Sequence, residues 1–135
     1  MRTSHHAILQ KAFTLTEMTI VIVVLLVLMR SGFFVYSKMN EWKLGRDAAE
    51  SLRTVYTAQR LYLADNPTAL VSSLTSTLLI PYMPNDATAI PTVKSLTGAT
   101  LSIILNVYPP VINAGTGSTY DPSGSNVDSL WDVGE

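Results

Sequence analysis

The feature that most limits what this chain can fold into is the run FTLTEMTIVIVVLLVLM at residues 13–29, where Glu17 is the only charge before Arg30. At 1.5 Å per residue a helix of this length spans about 25 Å, slightly short of a ~30 Å hydrocarbon core. Phe33, Phe34, Val35 and Tyr36 extend the apolar character beyond Arg30. The Arg30 side chain can lay its stem in lipid and keep its head at the interface. Residues 13–36 therefore read as a membrane-capable helix. A carboxylate inside such a segment costs on the order of 2.5–3.5 kcal/mol on insertion scales, so Glu17 needs either a wet edge or a cation to face.

The stretch before the run, MRTSHHAILQKA, is polar and carries Arg2 and Lys11. An ordinary secretory signal places its small-residue cleavage site after the apolar run. Here the small residue, Ala12, stands before it. A cut between Ala12 and Phe13 would leave the run on the mature chain as an anchor. It would also create an α-amino group one helical turn from Glu17, which is the cation that Glu17 needs. The flanking charges pull the other way. Arg30, Lys38, Lys43 and Arg46 outnumber Arg2 and Lys11, and the positive-inside rule taken alone would keep the carboxy-terminal part in the cytoplasm.

The hexapeptide Ala12-Phe13-Thr14-Leu15-Thr16-Glu17, followed by an apolar run, resembles the processing site of type IV pilins and type II secretion pseudopilins. The resemblance implies cleavage between Ala12 and Phe13 by a prepilin peptidase and methylation of the new Phe13 amine. It implies that Glu17 neutralises the amino terminus of a neighbouring subunit during assembly. It further implies a homo-oligomeric filament, an assembly ATPase, an inner-membrane platform protein, and a bacterial inner-membrane location with the globular part on the periplasmic or extracytoplasmic side. The sequence departs from the common pattern at four places. Ala12 replaces the usual Gly, Thr16 stands where an apolar residue is usual, Phe34 occupies the position of a helix-loosening Pro, and Arg30 lies within the anchor. The competing reading is an uncleaved single-span membrane-anchored binding or adaptor module.

Beyond the membrane-capable segment the helical pattern continues. Leu44, Ala48, Leu52, Val55, Gln59, Tyr62 and Leu63 recur at spacings of three and four, while Arg46, Asp47, Glu50, Arg53 and Arg60 fall on the opposite side. No proline interrupts residues 13–64, so one helix of roughly 75 Å is expected, weakened or bent at Gly45. Tyr56 and Tyr62 are expected to pack against the sheet. Asn66 and Pro67 predict the start of a short second helix with Leu70, Val71, Leu74 and Leu78 on one face, ending at Pro81. Residues 100–108 predict a strand bounded by Gly98 and Pro109-Pro110, with further extended segments at 111–113 or from Thr119. The expected architecture is α+β: residues 1–12 a leader, 13–36 the transmembrane or filament-core helix, and 37–135 a pilin-like globular domain with a small antiparallel sheet.

The chemistry available to such a domain is narrow. There is no cysteine, and the only histidines are His5 and His6. A chain cut before Phe13 therefore has no imidazole base, no thiol nucleophile and no zinc site of the usual kind. No enzyme is expected. With formal net charge -1 there is no basic footprint for nucleic acid. The tail, AGTGSTYDPSGSNVDSLWDVGE, is a Gly/Ser/Asp-rich loop with Tyr120, Leu130 and Trp131 as apolar anchors. It resembles the carboxy-terminal loop of pseudopilins, where calcium often replaces the disulfide of true pilins. Asp121, Ser123, Asn126, Asp128 and Asp132 offer the oxygen ligands calcium takes, with Asp121 and Asp128 the leading candidates; a solvated acidic loop held by Trp131 is the alternative.

Overall fold

A computed structural model describes residues 13–115 and 117–134. The leader, with Ala12, His5 and His6, lies outside the described residues. The chain divides into two compact units, Met1–Ser37 and Lys38–Glu135. It is α+β: a long helix, α1 (Leu15–Asp65), precedes a small antiparallel β region.

In the first unit every described side chain, residues 13–37, is exposed. Among the described residues α1 is the one helix long and apolar enough to cross a membrane. Two of its hydroxyls bond to the helix backbone: Thr19 Oγ1 donates to the Leu15 carbonyl at 2.8 Å and Ser31 Oγ to that of Val27 at 3.0 Å. Such bonds let a hydroxyl sit in an apolar surrounding without an unpaired donor.

In the second unit α1 buries Gly45, Ala48, Ala49, Leu52, Val55, Ala58 and Gln59. Ala48, Leu52, Val55 and Gln59 belong to the stripe the periodicity predicts, whose Leu44, Tyr62 and Leu63 are only half-buried; Gly45, Ala49 and Ala58 add small residues that let other chain segments approach closely. Ala48, Leu52, Val55 and Ala58 share one core with Leu74, Leu79, Met83, Val93, Ile103, Ile112 and Trp131. Tyr62 packs on the edge of this core, its ring 5.6 Å from that of Tyr82. Tyr56 instead pairs with Tyr108 (ring centroids 5.1 Å) and accepts a 3.1 Å hydrogen bond from its hydroxyl.

Two local expectations are corrected. Asn66 does not open a second helix; it ends the first, with its backbone N–H and its side-chain amide both donating to the Tyr62 carbonyl at 2.9 and 3.0 Å. The expected second helix is broken into a 3₁₀ turn at Val71–Ser73, the four-residue α2 (Ser76–Leu79) and a 3₁₀ turn at Ile80–Tyr82. Its Ser and Thr hydroxyls bond locally, as Ser73 Oγ does to the Leu70 carbonyl at 2.7 Å, and this competes with helix propagation. Leu74 and Leu79 face the core, whereas Leu70 and Leu78 are exposed.

The β region is also finer-grained than the sequence suggests. β1 (Val93–Lys94) pairs antiparallel with β2 (Thr100–Leu101), and β3 (Ile103–Ile104) pairs antiparallel with β4 (Val111–Ile112). Gly98, at φ +83°, makes the tight β1–β2 turn, in which the buried Ser95 hydroxyl accepts from the Ala99 N–H at 3.0 Å. The strand expected to run to Tyr108 stops at Ile104. The reason is Gln59, whose amide donates to the carbonyls of Leu105 (2.7 Å) and Val107 (3.1 Å) and draws that segment onto the helix. Asn113 and Thr119 add one isolated bridge.

Candidate functional site

Two places carry the residues singled out by sequence, and each is described within its own unit. At the amino-terminal end of α1, Phe13 is 73% exposed and precedes the first helical residue, Leu15. Thr14 is the N-cap. Its hydroxyl accepts from the Glu17 N–H at 3.2 Å, while Glu17 Oε2 accepts from the Thr14 N–H at 2.8 Å and from the Thr14 hydroxyl at 3.1 Å. This reciprocal capping box satisfies two amides that a helix start otherwise leaves open. The signal T-x-x-E stands in the sequence at residues 14–17 and was readable there. Its consequence is that Glu17 is already useful to its own subunit. The carboxylate lies at the positive end of the helix dipole, beside the residue whose amine a cut before Phe13 would free.

Behind this cap, residues 18–29 present an exposed apolar surface on all sides of the helix, broken only by Thr19. That surface is not stable in water and must meet lipid or other apolar helices.

The second place is the carboxy-terminal strap, residues 128–134. Trp131 is its anchor, 5% exposed, with its backbone N–H donating to the Gly45 carbonyl at 3.1 Å and its ring edge-on to Tyr120 at 5.3 Å. A Cβ on Gly45 would stand 2.9 Å from Trp131 Nε1 and 3.2 Å from Leu130 Cβ. Gly45 is therefore the place where the strap lies directly on the helix backbone, rather than the weak point or bend that a glycine within a helix predicts. Trp131 has φ 65°, a left-handed conformation that costs a bulky residue about 1–2 kcal/mol. Burying the indole outweighs this, since large side chains gain about 1.5–3 kcal/mol on full burial. Arg53 Nε adds a second tie, donating to the Val133 carbonyl at 2.7 Å.

The acidic residues of the tail do not converge. Asp121 Oδ1 accepts from the Ser123 N–H (3.0 Å), the Ser123 hydroxyl (2.7 Å) and the Gly124 N–H (3.3 Å). Asp128 Oδ1 accepts from the Leu130 N–H at 3.0 Å. Both carboxylates thus hold turns of their own loop. Among the described residues no group of three or more His, Cys, Asp or Glu is placed to hold a metal. The calcium reading accordingly stands on the resemblance of the loop alone. Asp132 is the unusual acid, with both carboxylate oxygens buried and without a hydrogen-bond partner. Burial raises its pKa above the ordinary value, and the carboxylates of Asp128 and Asp121 add to this. The Gly134 amide, outside hydrogen-bonding geometry, and the Arg53 guanidinium pull the other way.

No family model, curated protein or solved structure matches this chain.

Proposed function

We propose that this chain is a structural subunit of a type II secretion pseudopilus or type IV pilus-like filament. A prepilin peptidase cuts it before Phe13, the membrane holds it by residues 13–36, and it is assembled through that same helix. The observation that carries the reading is the pairing of a cap built from Thr14 and Glu17 with a helix segment whose described side chains are all exposed and, over residues 18–29, apolar except for Thr19. In the stored subunit lipid covers this surface. In the filament identical helices cover it, and the Glu17 carboxylate meets the α-amino group of a neighbouring Phe13. An assembly ATPase and a platform protein in the inner membrane drive that exchange, and the globular part lies on the extracytoplasmic side.

The reading needs no catalytic group, and residues 13–135 contain neither His nor Cys. It is distinguished from an uncleaved single-span adaptor by the mass of the chain when co-expressed with a prepilin peptidase. The expected product begins at Phe13 and is one methyl group heavier. An intact Met1 product, under conditions that process a control pilin, assigns the chain to the adaptor reading instead.

A further inference from the structure

Charge is strongly segregated along this chain beyond the apolar run. Residues 30–46 carry four basic side chains against one acid, Glu41, whereas residues 47–135 carry three basic side chains against eight acids. Within the second unit, Met39, Trp42, Lys43 and Arg46 fall at i, i+3, i+4 and i+7 of α1, so they share a stripe. All four are exposed: Met39 66%, Trp42 57%, and Lys43 and Arg46 likewise open to solvent. The stripe lies away from Ala48 and Leu52, which face the core, and is bordered on its Trp42 side by the buried Gly45 and Ala49. Among the described residues the one ion pair is Lys38–Glu41, at 2.9 Å, which leaves Lys43 and Arg46 without a carboxylate partner. The Arg46 guanidinium stands over the Trp42 ring, 5.4 Å from its centroid.

We propose that this stripe is a lipid-docking surface whose partner is the anionic headgroup layer of the membrane holding the subunit. Its chemistry fits that layer: a Trp and a Met for the interfacial zone, and two free cations for phosphate. Tryptophan is the side chain most at home between acyl chains and headgroups. The stripe also continues the same helix that carries the apolar run. Lys43 follows Tyr36 by seven residues in the chain. Asp47 and Glu50 begin the acidic part of the chain one turn later, so attraction is concentrated at the end of the globular unit that follows the apolar run. The surplus of basic residues on this flank, which conflicts with an exported domain if read as a topology signal, is accounted for as headgroup contact.

This inference rests on the membrane-stored reading, and one experiment separates the two. The full chain is reconstituted in vesicles of phosphatidylcholine alone or mixed with phosphatidylglycerol, and membrane association is established by flotation. Trp42 is then read by its emission and by quenching with brominated phosphatidylglycerol. Trp131 is buried in the core, so the lipid-dependent signal belongs to Trp42. The expected result is a blue-shift and strong quenching in anionic vesicles, weak quenching in neutral ones, and reversal in 1 M salt. Each basic residue at an anionic surface favours the docked state about fivefold, so Lys43→Gln with Arg46→Gln lowers the docked-to-free ratio on the order of twentyfold and removes most of the quenching. Trp42→Phe in the otherwise natural chain must abolish the signal. A chain that floats but whose Trp42 is equally quenched in neutral and anionic vesicles, or unquenched in both, overturns the docking surface alone. A Trp42 shift that follows protein-to-lipid ratio instead of lipid charge assigns the stripe to a second copy and overturns it too. Failure to float with either vesicle overturns the membrane-stored reading along with it.

Discussion

Gly45→Ala puts two physical effects in direct opposition. Alanine at an exposed helix interior is favoured over glycine by about 1 kcal/mol, and helix propensity alone predicts a stabilised protein. The structure predicts the reverse. The new methyl would lie 2.9 Å from Trp131 Nε1 and 3.2 and 3.3 Å from Leu130 Cβ and Cδ2. A Cβ contact below 3 Å forces something to shift, and the indole is poorly placed to do so. Its backbone is tied by the Trp131 main-chain N–H to the Gly45 carbonyl, and its buried ring is blocked by the Tyr120 ring. Overpacking of this kind costs about 1–3 kcal/mol, and expulsion of the indole costs about 3–5 kcal/mol by analogy with Trp truncation. After subtracting the propensity gain, overpacking leaves a net loss of up to about 2 kcal/mol and expulsion one of about 2–4 kcal/mol, so we expect about 2 kcal/mol, where the two ranges meet. For a domain of this size that lowers Tm by about 8–16 °C. The assay is a thermal melt of the full chain in detergent, read by near-UV dichroism of the buried indole. Gly32→Ala serves as the control, because a Cβ there meets nothing within 4 Å, and its melt should not fall. A Gly45→Ala protein as stable as the parent, or more so, with its Trp131 signal intact, refutes the argument that strap and helix touch at this point.

Three other perturbations probe separate contacts. Gln59→Leu removes both donors to the Leu105 and Val107 carbonyls but also the unpartnered Gln59 Oε1, so we expect a net loss of about 2 kcal/mol, seen as a lower urea midpoint with an unchanged slope. For Asp132 the folded pKa is raised, so the folded state holds the proton more tightly than the unfolded one. Its favourable contribution is complete below the unfolded value near 4, and stability falls as pH rises from there through the folded pKa; Asp132→Asn should flatten that part of the pH–stability curve. Glu17→Ala should leave cleavage before Phe13 intact, fray the first helical turn by about 1 kcal/mol, and reduce filaments at least about tenfold, counted by electron microscopy against the parent chain.

The residues whose environment is set locally were legible in the sequence. The buried stripe of Ala48, Leu52, Val55 and Gln59 follows from spacing alone, because a helix places every third or fourth residue on one face. The exposed apolar segment and Glu17 were equally plain. The capping box of Thr14 and Glu17 is local too, a T-x-x-E pattern lying inside the processing motif. What was not legible depends on partners far along the chain. Nothing near Gly45 announces that Trp131, 86 residues later, lies on its backbone. Nothing in residues 100–108 reveals that Gln59 will take the carbonyls of Leu105 and Val107 and end the strand early. The second helix failed for a subtler reason: apolar spacing favoured it, while its Ser and Thr hydroxyls offered the backbone local bonds of comparable strength. In the tail, Tyr120, Leu130 and Trp131 were correctly read as anchors. Asp121 and Asp128, however, use their carboxylates to hold turns of their own loop.

The account turns on the exposed apolar segment leaving lipid to pack against copies of itself. Because the natural chain contains no cysteine, a single reporter can follow that exchange. Val24→Cys places a thiol in the middle of the segment, and oxidative cross-linking is measured in cells with and without the filament-assembly machinery. The prediction is covalent dimers of chains beginning at Phe13, abundant only when the machinery is active and recovered in sheared filaments. Filaments that form with the Val24→Cys thiols unpaired and accessible to a water-soluble reagent would contradict it.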